Sequence, residues 1–328
     1  MKHLTEYLLV RLVAGILRIV PYHAALCVGW CFAWCAFYIV RYRVREAKRR
    51  IREIYPERFT GEEIGQVAWK SWRNFVFTVV EMIRIPVSSP DWVRTIVDDN
   101  QTMQKLVECL KSGRGGIIAT AHMGSWELAM LTCLAHDVRM FSIAAPQKNR
   151  LVDNFANRAR AASGFEIVLR GASITKTIIR NIKEGKLLAI LPDVRGKTEA
   201  LQIKFLGKTA NIAGGMGFIA RHANVPLFPS INTRIGWGRH RTRVHDPIWP
   251  DLKAEKKADI LRITQAFFDI LTEAVNAEPE QWFWFNKRWI FDPLTKKKST
   301  IDNQNCRVIP AQAGIQFEYS VDSRLNQE

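Results

Sequence analysis

The sequence lacks any pairing that would give its six cysteines a framework. There is no Cys-x-x-Cys, and Cys109, Cys133 and Cys306 are scattered, so neither a zinc knuckle nor a disulfide scaffold is expected, and a reducing compartment follows. Neither His-Glu-x-x-His nor Gly-x-Ser-x-Gly occurs, which removes support for a zinc protease or a standard serine hydrolase. Gly196-Lys197-Thr198 resembles the end of a phosphate loop, but Leu191 stands where such a loop needs glycine. Gly113-Arg114-Gly115-Gly116 precedes an apolar run instead of following one, so it is not a dinucleotide fingerprint. No metal or cofactor is therefore expected. Repeats at solenoid periods are also missing.

Acidic residues are scarce, 31 against 48 lysines and arginines, and the net charge of +17 points to a polyanionic partner. Nucleic acid, an anionic membrane face, phosphorylated small molecules and an acidic protein all satisfy that charge. Hydrophobic content of 48% over 328 residues excludes wholesale disorder and is enough for a sizeable core.

The longest uncharged stretch is Ala24 to Val40, at the lower end of the length that spans a bilayer as a helix. Cys27, Cys31 and Cys35 recur within it at every fourth residue, a stripe of small side chains suited to close helix packing. Upstream, Tyr7 to Val20 is apolar but carries Arg11 and Arg18, which suits an interfacial helix, with Pro21 as the hinge between the two. Downstream come Arg41, Arg43, Arg45, Lys48, Arg49, Arg50 and Arg52, so the positive-inside rule puts the rest of the chain on the cytoplasmic side. A cleaved signal would have the opposite polarity.

Residues 43–85 read as two helices broken at Pro56–Thr60, where Thr60-Gly61-Glu62-Glu63 is a helix start. From Gly115 the pattern alternates. Strands are expected at 117–121, 140–144, 165–169, 187–191, 203–206 and 225–232, and helices at 126–136, 151–162, 174–183, 213–223 and 260–277. Short apolar strands separated by amphipathic helices imply an α/β sheet of largely parallel character. From Lys296 onward neither period persists, and residues 296–328 read as a disordered tail.

The most informative segment is His122-Met123-Gly124-Ser125-Trp126-Glu127. It sets an imidazole at the end of an apolar strand and a carboxylate five positions later, in the first turn of a helix. A Gly-Ser turn between them is expected to let Glu127 reach one ring nitrogen of His122, leaving the other as a general base. Ser125 is a weaker candidate, as a nucleophile beside that base. Lys148, Arg150, Arg158 and Arg160 follow the second strand of the body. Because that strand is expected to neighbour the His122 strand, Arg160 is expected over the same crevice. Asp193 is another polar group at a strand end. The aromatic and cationic run from Pro279 to Trp289 suits closing a core or meeting headgroups better than stacking on nucleic acid.

These motifs together resemble the lysophospholipid acyltransferase superfamily, and within it the bacterial late acyltransferases of lipid A biosynthesis. The resemblance runs in order over residues 1–292: the apolar anchor and basic stretch, Gly115-Gly116-Ile117-Ile118 leading into His122-x4-Glu127, and the segment Gln147 to Arg160. It continues through Leu191-Pro192-Asp193, Phe205-Leu206-Gly207-Lys208 and Pro279-Glu280-Gln281-Trp282-Phe283-Trp284. Ser125 stands where that branch usually has Asn, and Val194 follows Asp193 in place of Gln or His.

The resemblance implies a glycerolphosphate-acyltransferase-like α/β fold, with a mixed sheet flanked by helices and an N-terminal membrane anchor. Residues 1–40 would be that anchor and 41–295 the catalytic domain. It implies O-acyl transfer from an acyl-carrier-protein thioester to a lipid A precursor at the cytoplasmic face of the inner membrane. His122 and Glu127 would be catalytic, and Arg160, Asp193, Ser125, Lys148 and Arg158 would bind substrate. A lysophospholipid or aminolipid acceptor is the alternative within the superfamily. A membrane-anchored nucleic-acid binder is the distant alternative outside it, and no nucleic acid is expected as a partner.

Overall fold

The computed structural model describes residues 2–144, 149–169, 174–196 and 200–294. The expected tail at 296–328 lies outside them.

The chain opens on α1 (Lys2–Ile19), then α2 (Tyr22–Trp34), which continues through a π-helical turn to Ile39. Pro21 stands at the hinge between them, as its missing N–H and fixed φ favour. α3 (Val44–Ile54) and α4 (Gly61–Arg84) follow, and α4 starts on a capping box in which Thr60 and Glu63 bond reciprocally. The body then runs α5 (Pro90–Ile96), β1 (Val97–Asp98), α6 (Thr102–Leu110), β2 (Gly116–Ala119), α7 (Trp126–Ala135), β3 (Met140–Ala144) and α8 (Arg150–Ala161). It continues with β4 (Glu166–Leu169), α9 (Ile174–Lys183), β5 (Leu187–Ile190), β6 (Leu201–Phe205), β7 (Lys208–Ile212) and α10 (Gly215–Ala223). β8 (Leu227–Arg234), β9 (His240–Val244) and α11 (Lys256–Ala277) complete it.

Seven strands form one sheet in the order β1-β9-β8-β2-β5-β3-β4, parallel except where β8 meets β9. The expected α/β fold with a largely parallel sheet flanked by helices is therefore the observed one. β2 and β5, at its centre, are apolar at every position because both faces are covered. Ile117, Ala119, Leu188 and Ile190 join the core beneath α10 and α11, while Ile118, Leu187 and Ala189 face α6 and α7.

Five elements went unanticipated: α5, β1 and α6, in a stretch to which the sequence pattern assigned no element, and β7 and β9. β9 (His-Arg-Thr-Arg-Val) alternates buried and outward residues as a strand should, but its inward residues include His240 and Thr242, so no apolar alternation marks it. β7 pairs antiparallel with β6 in a hairpin whose two-residue turn, Leu206-Gly207, has both φ angles positive. The expected neighbourhood of the β2 and β3 strands is also corrected: β5 lies between them, pairing with each.

The face of α2 that packs is not the expected one. α2 packs on α4 through Ala25, Leu26, Gly29, Ala33 and Phe37, and Gly29 is required because a Cβ there would come within 2.9 Å of Val80. Cys27, Cys31 and Cys35 sit on the outer side, exposed, so the cysteine stripe is not the packed one. The larger apolar residues claim the inner face because they have more area to remove from water. Arg50, read as part of a basic surface, is buried instead. It donates to the carbonyls of Trp284 and Asn286 and lies 4.4 Å from the centre of the Trp289 ring. Arg41, Arg45, Arg49 and Arg52 remain exposed.

Gly115 sits where β2 meets the end of α9, and a Cβ there would lie 2.2 Å from the Lys186 carbonyl oxygen and 2.6 Å from that of Ile182. Both obstacles are backbone, so Gly115→Ala is expected to push β2 away from β5 at a cost of about 3 kcal/mol. Thermal unfolding checks this; a melting temperature equal to the parent's contradicts it.

Candidate active site

β2 and β5 pair in parallel with Ala119 opposite Ile190, and the Thr120 N–H donates to the Ile190 carbonyl beyond the last paired residues. The same offset of 71 residues continues past the strand ends and brings His122 to Asp193. The His122 backbone N–H donates to Asp193 Oδ2 at 2.9 Å, and its ring Nδ1 lies 2.8 Å from Oδ1. Trp282 Nε1–H donates to Oδ2 at 2.9 Å. Burial alone would raise the Asp193 carboxyl pKa, but the imidazole and these donors more than offset it and hold the group below its ordinary value.

An ionised carboxylate only accepts, so Nδ1 carries the proton and Nε2 keeps its lone pair. Among the described residues Nε2 has no hydrogen-bond partner. The ring is held on a second side by Trp126, edge to face at 5.0 Å.

The geometry corrects the expected wiring: the carboxylate on the imidazole is that of Asp193, and Glu127 is engaged elsewhere. Glu127 Oε1 pairs with Arg160 Nη2 at 3.2 Å, the two side chains being 9% and 20% exposed. Glu127, in the first turn of α7, directs its side chain to Arg160 on α8. Arg160 is thus placed against Glu127. A small cleft opens beside this pair, walled by Ile85, Met130, Leu131, Leu134, Ser163 and Phe165.

Asp193, expected to meet substrate, has both oxygens occupied by His122 and Trp282. Ser125 is buried, and its hydroxyl donates to Glu81 Oε2 at 2.6 Å. Arg158 is exposed on α8. Lys148 lies outside the described residues.

The turn itself is shaped by its neighbours. Gly124 has φ +56°, and a Cβ there would fall 2.3 Å from the Asn232 carbonyl oxygen, so only glycine fits. Met123 bridges to Trp282, the Phe283 N–H donates to the His122 carbonyl, and the Gly124 N–H donates to the Gln281 carbonyl. The segment after α11 therefore closes the site as a short added strand. Trp282, Trp284, Phe285 and Trp289 are buried, so this run forms core and not a stacking surface.

Residues 1–290 match the family model of bacterial lipid A biosynthesis acyltransferases. The chain belongs to that family. Curated relatives include the phosphatidylinositol mannoside acyltransferase of Mycolicibacterium smegmatis, 21% identical over 60% of this chain and 64% of the relative. The phosphatidylinositol mannoside acyltransferase of Mycobacterium tuberculosis is 21% identical over 61% of this chain and 62% of its own length. The matches thus span less than two thirds of these relatives.

Sequence reasoning missed three residues around the site. Trp282 was noticed only as part of an aromatic run. Glu81 and Arg234 were not noticed at all, since one lies within an amphipathic helix and the other ends a strand. Glu81 is fully buried and takes a two-pronged ion pair from Arg234, with Oε1–Nη1 at 2.7 Å and Oε2–Nη2 at 2.8 Å. Burial opposes its charge, but Arg234 overrides that and holds the carboxyl far below the ordinary carboxylate range. His240, 3.3 Å from Oε1, is kept below its ordinary pKa chiefly by burial.

Both depressed carboxyls, Glu81 and Asp193, contribute stability that is complete above their unfolded pKa values of about 4 and is lost as pH falls below that range. Melting temperature is therefore expected to hold from pH 7 to about pH 5 and to drop between about pH 4 and pH 3. A flat profile across that interval contradicts the lowered pKa values of the two carboxyls.

Proposed function

We propose that this acyltransferase moves a fatty acyl chain from an acyl-carrier-protein thioester onto a hydroxyl of a lipid A precursor. The reaction takes place at the cytoplasmic face of the inner membrane. Residues 41–295 form the catalytic domain and residues 1–40 its membrane anchor. The observation that carries this reading is the His122 imidazole, with Nδ1 held by buried Asp193 and Nε2 unengaged beside the N-terminus of α7.

Nε2 takes the proton of the acceptor hydroxyl as its oxygen bonds to the thioester carbonyl carbon. Negative charge gathers on the carbonyl oxygen, and the free N–H groups in the first turn of α7 suit it as donors. Collapse of this intermediate breaks the carbon–sulfur bond. The departing sulfur receives the proton from the imidazolium, leaving an ester and a free carrier thiol. A thioester is already activated, so no acyl-enzyme is needed. Asp193 keeps the imidazole in the reactive tautomer and stabilises its cationic form.

Glu127 acts through Arg160, holding the guanidinium where a phosphate of the acceptor can meet it. Arg158 on the same helix and the net charge of +17 suit both an acidic carrier and a phosphorylated lipid. The exposed apolar residues support contact with a membrane. Leu4, Leu8, Leu12 and Ile16 follow one another at four-residue spacing along α1, and Phe32, Trp34, Tyr38, Ile39 and Val40 lie at the far end of the α2 segment. A second reading keeps the chemistry and changes the acceptor, because the relatives are named for a phosphatidylinositol mannoside. Such a lipid also offers sugar hydroxyls and a phosphate.

Turnover of acyl-carrier-protein and coenzyme A thioesters with under-acylated lipid A and with phosphatidylinositol mannoside, read by mass spectrometry, tests donor and acceptor together. His122→Ala is expected to lower turnover by about 10²–10⁴, and Asp193→Asn by about 10² or more, with folding retained. Parent-like turnover in His122→Ala rejects the base. Acyl transfer to the mannoside alone replaces the lipid A acceptor. Introducing Leu8→Asp with Leu12→Asp is expected to weaken binding to anionic vesicles at least about tenfold; undiminished sedimentation with them removes α1 from the anchor.

A further inference from the structure

Glu81 is a buried carboxylate with no part in the proton transfer described above, yet it touches four separate elements. Oε1 accepts from the Tyr22 hydroxyl at 2.7 Å and from Arg234, and it faces His240; Oε2 accepts from Arg234 and from the Ser125 hydroxyl. Tyr22 is the first residue of α2, Arg234 the last of β8, His240 the first of β9, and Ser125 closes the catalytic turn ahead of α7.

Neutralising Arg234 requires only the ion pair. The contact with Ser125 is additional, and it lies three residues beyond His122. Ser125 occupies the N-cap position of α7, where a serine ordinarily bonds the helix's own N–H groups; here it makes no such cap. Its hydroxyl is turned toward Glu81. One turn earlier on α4, the Thr78 hydroxyl donates to the Gly124 carbonyl at 2.9 Å. Consecutive residues of the turn are thus held from the same helix, one by its backbone and one by its side chain.

The opposite side of the turn is closed through the same ion pair. The Gln281 side chain bonds the Arg234 backbone in both directions, at 2.9 and 3.0 Å, and the Gln281 carbonyl accepts from the Gly124 N–H. Glu81, Arg234, Gln281, Gly124 and Ser125 make a closed ring of contacts. A residue in left-handed conformation at Gly124 and a base that must meet a hydroxyl at hydrogen-bond distance both need such fixing.

We propose that Glu81 is a positioning residue for the acyl transfer, holding the His122–Ser125 turn, and with it the imidazole, through the Ser125 hydroxyl. This rests on His122 being the base. Tyr22 brings the seat of α2 onto the same carboxylate, so the N-terminal helix and the catalytic turn share one anchor.

The test uses the full chain in detergent, following thiol release from an acyl-carrier-protein thioester with under-acylated lipid A. Parent, Ser125→Ala, Ser125→Thr, Glu81→Gln and His122→Ala are compared. Ser125→Ala leaves the Glu81–Arg234 pair intact and so avoids the unpaired buried cation that Glu81→Gln creates. Ser125→Ala is expected to lower kcat about 10- to 100-fold while KM for either substrate changes by less than about twofold, because geometry and not binding is lost. Ser125→Thr, which keeps the hydroxyl, is expected to restore most of kcat. The Glu81→Gln/Ser125→Ala pair is expected to be no worse than Glu81→Gln alone. Parent-like kcat in Ser125→Ala, a loss confined to KM, or additive effects of the pair each overturn the positioning role while His122→Ala stays inactive. Parent-like turnover in His122→Ala instead overturns the base assignment and this inference with it.

Discussion

The buried contact between His122 and Asp193 is made across two strand ends that are neighbours only because β5 slots between β2 and β3. Parallel register is rigid, and the offset that pairs Ala119 with Ile190 is the one that joins the two functional side chains three residues later. No flexible loop has to find its partner. The Trp282 indole N–H also donates to Asp193, so the carboxylate leaves water with each oxygen satisfied. A carboxylate so enclosed stays ionised, and an ionised carboxylate determines which ring nitrogen of His122 is basic.

The rest of the molecule serves that geometry. α4 runs beneath the His122–Ser125 turn and holds it through Thr78 and Glu81, while the segment after α11 adds a short strand against it from the other side. The aromatic run of that segment is core, and it also covers Arg50, whose cation is met by backbone carbonyls and the Trp289 ring. Basic residues in this chain consequently do two kinds of work. Some, such as Arg50 and Arg234, are internal clamps; others, such as Arg41, Arg45, Arg49 and Arg52, remain at the surface and contribute to its positive charge.

Much of the fold was legible. The body's apolar strands and amphipathic helices follow their periods closely, and the strand at 140–144 and the helix at 174–183 have the anticipated bounds. β9 escaped because its buried residues are partly polar and its alternation is not one of hydrophobicity. At the site, His122 was legible from its position at the end of an apolar strand before a helix start. Its partner was misjudged. Glu127 is near in sequence but pairs with Arg160 on α8, whereas Asp193, 71 residues away, is near in space.

Composition and periodicity alone settled that this chain builds an α/β sheet with covered faces, and motif order alone pointed to an acyl-transferring family. These are local properties: a strand's pattern and a turn's chemistry can be read wherever they stand in the chain. Which carboxylate meets the imidazole, which arginine is buried and which face of α2 is packed depended on strand order and on helix packing. Those follow from long-range pairings whose free energy is summed over the whole core, so no segment of sequence carries them by itself.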